Sequence, residues 1–226
     1  MKKLSVVFLA ICLTAALAAA AEEGTPAPVA QENKGESNLM FGLGFGYPFL
    51  DLNQFQEDLD DLDLPDFSWP LAACFSISAE WGKSPHFLQL NAASTVIGVR
   101  ANANGRYAEV IYDYNQIGLG YHYQALPWLG FHANVPFTLG FWRYELISPH
   151  FNGLARGDDY GLNHRAGIYF DIDRSMGFDL YGGYQFRLGR GAELYSGDME
   201  REDFNDFDFD HALIGLDFIF HYVPRK

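Results

Sequence analysis

Between Leu39 and Phe49 every second residue is large and apolar: Leu39, Phe41, Leu43, Phe45, Tyr47 and Phe49 alternate with Met40, Gly42, Gly44, Gly46 and Pro48. Successive side chains of a β-strand point to opposite faces, so this period builds a strand with one bulky apolar face and one nearly bare face. The pattern recurs in Leu71, Ala73, Phe75, Ile77, Ala79 and Trp81, set against Cys74, Ser76, Ser78 and Glu80. A third strand runs from about Phe87 to Val99 and a fourth from about Tyr107 to Gln124. In the fourth the apolar phase moves from even (Val110, Tyr112, Tyr114) to odd positions (Ile117, Leu119, Tyr121, Tyr123), which predicts a β-bulge. Leu129 to Phe141 marks a fifth strand, Ala166 to Ile172 a sixth, Phe178 to Leu188 a seventh and Ala212 to Tyr222 an eighth. No long helix is predicted; Phe55, Leu59 and Leu62 share one helical face within the first connection.

Alternation alone does not say which face meets water, because soluble barrels alternate too. The composition of the non-apolar face decides it. A water-facing surface is rich in Lys, Glu and Arg, whereas this face is mostly Gly, Ser, Asn, Gln and Thr. Beyond the amino-terminal segment the only lysines are Lys34, Lys83 and Lys226, all outside the strand cores. The small polar face therefore suits a narrow lumen and the bulky face suits lipid, where only helices and closed barrels satisfy every backbone group. The fold class expected is all-β: an eight-stranded antiparallel transmembrane β-barrel with short periplasmic turns and long external loops.

The connections follow that expectation. Asp51 to Pro70 is long, Gly82-Lys83-Ser84-Pro85 short, Ala101 to Arg106 moderate and Ala125-Leu126-Pro127 short. Ser148 to Asn163 is long, Asp173-Arg174-Ser175-Met176 short and Gly191 to Asp210 long. Tyr107, Trp81, Trp128, Trp142, Tyr144 and Tyr123 lie near strand ends, where interfacial aromatic girdles belong.

The amino terminus fits the same destination. Met1-Lys2-Lys3, the apolar run Leu4 to Leu17 and the small residues Ala18 to Ala21 predict a signal peptide over residues 1–21, cleaved near Ala20 or Ala21. Ile11 before Cys12 is too large for a lipoprotein signal. Residues 22–38 are rich in Pro, Gly, Glu, Ser and Asn, and predict a flexible periplasmic tail; the barrel is expected over residues 39–226. Without the leader the chain has 13 basic and 29 acidic residues, a net charge of −16, and one cysteine, Cys74. That balance excludes nucleic acid as a partner, and a lone cysteine excludes an internal disulfide.

The last strand reads Leu213-Ile214-Gly215-Leu216-Asp217-Phe218-Ile219-Phe220. Gly215, Phe218 and Phe220 resemble the carboxy-terminal signal read by the barrel assembly machinery, a Gly followed by two spaced aromatics. Leu213 departs from the polar residue usual at its head, and the chain continues through His221 to Lys226. With its strand pattern, the chain from about residue 39 resembles the small outer-membrane barrels of the OmpA, OmpX and OmpW type. The resemblance implies residence in the bacterial outer membrane among its lipids and lipopolysaccharide.

Three functions are consistent with such a barrel. A structural or surface-interaction role is the reading the residues favour. An OmpW-like channel or carrier for small or apolar molecules is the alternative, although eight strands enclose little more than packed side chains. A lipid A-modifying enzyme would need a nucleophile, a base and an orienting acid, for which Ser148, His150, Asp158 and Asp159 are the best candidates. Ser-Pro-His in a connection reads as a turn, and no enzyme and no cofactor are expected.

Strand phase places Glu80, His122, His132, Asp171, Asp179 and His221 inside the periplasmic half of the lumen. Arg165 and Arg187 are expected higher in the same lumen, paired with Asp217. Histidines and carboxylates ligate divalent metals, but they also form the hydrogen-bonded plug that closes a narrow barrel, and the plug is the reading preferred here over a metal site. Two external connections are strongly acidic. The first holds Asp51, Glu57, Asp58, Asp60, Asp61, Asp63 and Asp66; the last holds Glu193, Asp198, Glu200, Glu202, Asp203, Asp206, Asp208 and Asp210. Such loops suit divalent cations such as Ca²⁺, or remain a solvated acidic surface.

Overall fold

The computed structural model describes residues 38–173, 175–197 and 209–222. The expected signal peptide and nearly all of the expected tail lie outside these residues, and so does much of the last acidic connection. The described chain is one closed antiparallel barrel in which eight strands pair in sequence order, β8 returning to β1. The strands are β1 (Asn38–Phe49), β2 (Leu71–Lys83), β3 (His86–Ala103), β4 (Arg106–Leu126), β5 (Leu129–Ser148), β6 (Phe151–Asp171), β7 (Met176–Gly197) and β8 (His211–Tyr222). Each of the eight strands expected from alternation is present.

The two faces are those the alternation implies. Leu43, Phe45, Phe75, Leu88, Leu119, Phe137, Leu139, Leu180 and Ile214 are exposed on the outer wall, while Ser76, Ser78, Asn91, Thr95, Asn134 and Thr138 are buried inside. A closed barrel whose outside is its apolar side spans a membrane, because lipid is the only solvent that favours that arrangement. Phe137 lies near the middle of the outward column running from Leu129 to Phe141. Phe137→Arg is expected to lower stability by about 2 to 4 kcal/mol in lipid vesicles, against about 0 to 1 for Asn115→Arg at the upper edge. Urea titration of the folded fraction measures both, and equal penalties would place the lipid band elsewhere.

Strand lengths differ around the barrel. β1, β2 and β8 have 12, 13 and 12 residues, whereas β4, β5, β6 and β7 have 21, 20, 21 and 22. A crossing needs about 9 to 11 residues, so β4 to β7 continue as a wall beyond the bilayer. Most of the expected third loop, Ser148 to Asn163, is part of this wall: β5 and β6 meet at Pro149-His150. The β3–β4 connection is likewise a two-residue turn, with Asn104 at φ 53° and Gly105 at φ 77°. Both positive angles match the hairpin turn that Asn-Gly favours. At the opposite end Asp173 Oδ1 accepts hydrogen bonds from Ser175 N, Ser175 Oγ and Met176 N, at 2.7, 2.7 and 2.9 Å, closing the turn between β6 and β7. These donors hold the exposed Asp173 carboxyl below its usual range.

The tall wall corrects the reading of β4. Its pairing with β3 is continuous through residues 106–123, and with β5 the only irregularity is at Gln124/Leu126, so no bulge separates Tyr114 from Ile117. The even face points inward throughout: Val110, Tyr112, Tyr114, Gln116 and His122 are all buried. What changes is the solvent. Next to the lipid chains the strand is apolar outside and polar inside; from the headgroup level upward it is polar outside (Glu109, Asp113, Asn115) and apolar inside, as in a water-soluble protein. The same inversion on β5 buries Trp142 and Tyr144 in the lumen, so they are core residues and not members of a girdle.

Candidate functional site

Two layers fill the lumen. The lower one is polar and membrane-embedded. Arg165 on β6 reaches Asp179 on β7 at 3.0 Å and Asp217 on β8 at 2.5 Å, and its guanidinium carbon lies 3.3 Å over the Tyr181 ring. His132 on β5 meets the other oxygen of Asp179 at 2.8 Å. Alongside, His122 contacts Glu80 at 2.8 Å, and Gln89 Nε2 donates to the same Glu80 oxygen at 3.3 Å. Nearest the turns, His221 lies 3.1 Å from Asp171 and 2.5 Å from the Tyr169 hydroxyl.

Small residues make this packing fit. Gly215 is the clearest case, because a Cβ there would collide with the Tyr181 ring and hydroxyl. Its place in the assembly-signal pattern therefore has a structural counterpart: without a side chain, β8 leaves room for the ring that supports Arg165. Phe218 and Phe220, the other two residues of that pattern, lie on the outer wall, 45% and 42% exposed.

All nine lumen residues expected from sequence sit on inward-facing strand positions, but they do not form one group. Arg165 makes the pairing with Asp217. Arg187 stands four residues beyond Gly183, the partner of Arg165 on β7, about 13 Å nearer the mouth, where its backbone N–H donates to Asp210 Oδ1 at 2.6 Å. A cavity of about 40 Å³ adjoins Glu80, His122, His132 and Asp217, enough for ordered water within a hydrogen-bonded plug. Among the described residues no three His, Cys, Asp or Glu side chains converge as metal ligands.

The upper layer is apolar. A short helix, α1 (Gln56–Asp61), follows a 3-10 turn (Asn53–Phe55) in the connection between β1 and β2. Phe55 and Leu59 are 0% and 1% exposed, packed with Val99, Val110, Tyr112, Tyr144 and Phe209. Leu62, on the same expected helical face, is partly buried against this cluster. The Phe55 and Tyr144 ring centroids are 4.8 Å apart, and the Tyr144 hydroxyl donates to Asp58 at 2.8 Å. Burial and the nearby Asp58 charge hold the Tyr144 phenol above its ordinary pKa, which keeps it a donor. Arg106 Nη1 donates to the Leu62 carbonyl at 2.8 Å, and Ser68 N to that of Arg100 at 3.0 Å, fastening the connection to the β3–β4 hairpin. Sequence reasoning finds the helical face but not what it covers; the even phase of β4 and β5, continued past the bilayer, is the signal that could have found it.

Ser148, His150, Asp158 and Asp159 do not converge. His150 sits at the hairpin tip, eight residues and about 26 Å of strand from Asp158. Asp159 points into the lumen and accepts from the Tyr112 hydroxyl at 3.2 Å, while Asp158 accepts from Ala192 N at 2.9 Å. The first acidic connection is partly engaged, through Asp58 with Tyr144 and Asp60 with Gln56 at 2.9 Å.

No family model and no curated protein matches this chain. Solved structures of outer-membrane proteins are similar to it. Ail, the attachment invasion locus protein of Yersinia pestis, solved with the heparin analogue sucrose octasulfate, is 11% identical at a TM-score of 0.49, covering 84% of this chain and 99% of that one. A major outer membrane protein from Thermus thermophilus is 12% identical at 0.49, covering 82% and 99%. The outer membrane protein OprG from Pseudomonas aeruginosa is 10% identical at 0.48, covering 84% and 98%.

Proposed function

We propose that this chain is an integral outer-membrane barrel with a closed lumen, whose role is structural or surface-interacting and is carried by its outer wall and external end. The observation behind this reading is the double closure: Phe55 and Leu59 fill the mouth, and beneath them Arg165, Asp179 and Asp217 bridge three strands. A conduit needs a continuous wet path, and each layer interrupts it in a different way. The apolar layer excludes water and ions, while the polar layer has its charges engaged with one another. An OmpW-like carrier would need both layers to move for each solute.

Planar-bilayer recording of the refolded chain tests this. A silent bilayer is expected at potentials where the membrane itself is stable. Steady, reproducible ion steps would replace this reading with the channel.

A further inference from the structure

A groove of about 470 Å³ lies on the outer surface of the β4–β7 wall, and its lining includes Ile111, Asp113, Phe141, Arg143, Arg156 and Leu194. Strand register orders these residues into two rows. Asp113, Phe141 and Asp158 are cross-strand partners in one; Ile111, Arg143, Arg156 and Leu194 form the next row toward the mouth. Phe141 ends the outward apolar column of β5 that begins at Leu129. Those twelve residue steps, tilted by roughly 40°, rise about 30 Å, the thickness of a bilayer's hydrocarbon core. The arginine row therefore stands where lipid headgroups begin.

Its charges are arranged for a ligand. Arg143 and Arg156 face each other directly across β5 and β6, and like charges so placed repel. Glu109 takes Arg143 at 2.8 Å, with Glu145 at 3.9 Å. Among the described residues no carboxylate pairs with Arg156. Asp158, one row below, is occupied by Ala192 N at 2.9 Å. Asp113, also in the lower row, has no cationic or hydrogen-bonding partner among the described residues. The groove thus offers guanidinium donors above and a carboxylate acceptor beneath them, beside Phe141, Ile111 and Leu194.

We infer that this groove binds a phosphorylated glycolipid of the outer leaflet, with its phosphate between Arg143 and Arg156 and its sugar donors on Asp113. The inference rests on the outer-membrane reading above. Arg recognises phosphate in bidentate fashion, and an anion between the two guanidinium groups removes their repulsion. The lower row selects the kind of lipid. Beneath the phosphate of a glycerophospholipid lie ester carbonyls, which only accept hydrogen bonds, as the Asp113 carboxylate also does. A phosphorylated amino sugar with amide-linked chains presents N–H and O–H donors at that depth. Its chains then descend over Phe141, Leu139 and Tyr160, all exposed on the outer wall.

Native mass spectrometry of the full chain in detergent tests the assignment, using three probes: lipid A with its phosphates, the same lipid A dephosphorylated, and phosphatidylglycerol. The intact chain is expected to retain phosphorylated lipid A about tenfold or more over either other lipid, as the loss of one charge-assisted contact implies. Arg156→Gln is expected to remove that advantage, and Asp113→Asn to narrow the preference over phosphatidylglycerol while keeping that over dephosphorylated lipid A. Equal retention of the three lipids, or an Arg156→Gln chain that retains them as the parent does, overturns the proposal. Both side chains lie on the outer surface, and heat-modifiable migration on a gel reports whether each variant is folded. Membrane fractionation separates the two readings. A chain recovered outside the outer membrane removes the outer-membrane reading, whereas an outer-membrane chain without the lipid preference removes only the groove.

Discussion

Arg165→Met is expected to destabilise the barrel by about 3 to 5 kcal/mol, the cost of leaving buried charge without its partner. The guanidinium meets two carboxylates, Asp179 at 3.0 Å and Asp217 at 2.5 Å, and all three residues are under 10% exposed. Removing it leaves two negative charges close together in a lumen with little water, and among the described residues His132 alone still hydrogen-bonds Asp179. Urea titration in detergent micelles reads the loss as an earlier midpoint at unchanged slope. Adding Asp179→Asn and Asp217→Asn to Arg165→Met should recover more than half of it, because a neutral network carries no uncompensated charge. A single variant as stable as the parent would mean that water reaches these side chains freely, and the closed-lumen reading would fall with that result.

The strand phase behind this network is legible in the sequence, because period two assigns each residue a face independently of its neighbours. Parity alone places Glu80, His122, His132, Asp179 and Asp217 inward, and they are buried in the lumen. Parity says nothing of height, so it groups the correctly phased Arg187 with partners about 13 Å away. Nor does it reveal the solvent. The inversion along β4 between Tyr114 and Ile117 has two explanations, a bulge with one solvent or a straight strand with two. Only continuous pairing with β3 and β5 separates them. Trp142 and Tyr144 are misplaced for the same reason, since an aromatic near the bilayer edge looks alike on either face. The catalytic constellation fails on height, which residue type and parity do not carry: His150 stands at the hairpin tip, about 26 Å of strand from Asp158.

Phe55→Ala is expected to open the mouth without opening the barrel. Truncating a fully buried Phe costs about 3 to 5 kcal/mol, and here the loss falls mainly on the docking of one connection. Residues 50–70 are otherwise fastened by the packing of Leu59 and Leu64 in the same cluster and by polar contacts from Arg106 to Leu62, Ser68 to Arg100 and Tyr144 to Asp58. A weakening of about 3 kcal/mol raises the undocked population by roughly 150-fold, and cleavage by an external protease follows that population when docking is fast. Cuts within residues 50–70 should therefore accelerate by about that factor, while heat-modifiable migration of the barrel persists. Bilayer recordings of the same variant should stay silent, because the polar layer around Arg165, Asp179 and Asp217 still fills the lumen below. Conductance appearing on loss of Phe55 alone would show that the apolar layer is the only barrier, making the first connection a gate. Unchanged cleavage would show that Leu59, Leu64 and the polar contacts, rather than Phe55, hold it in place.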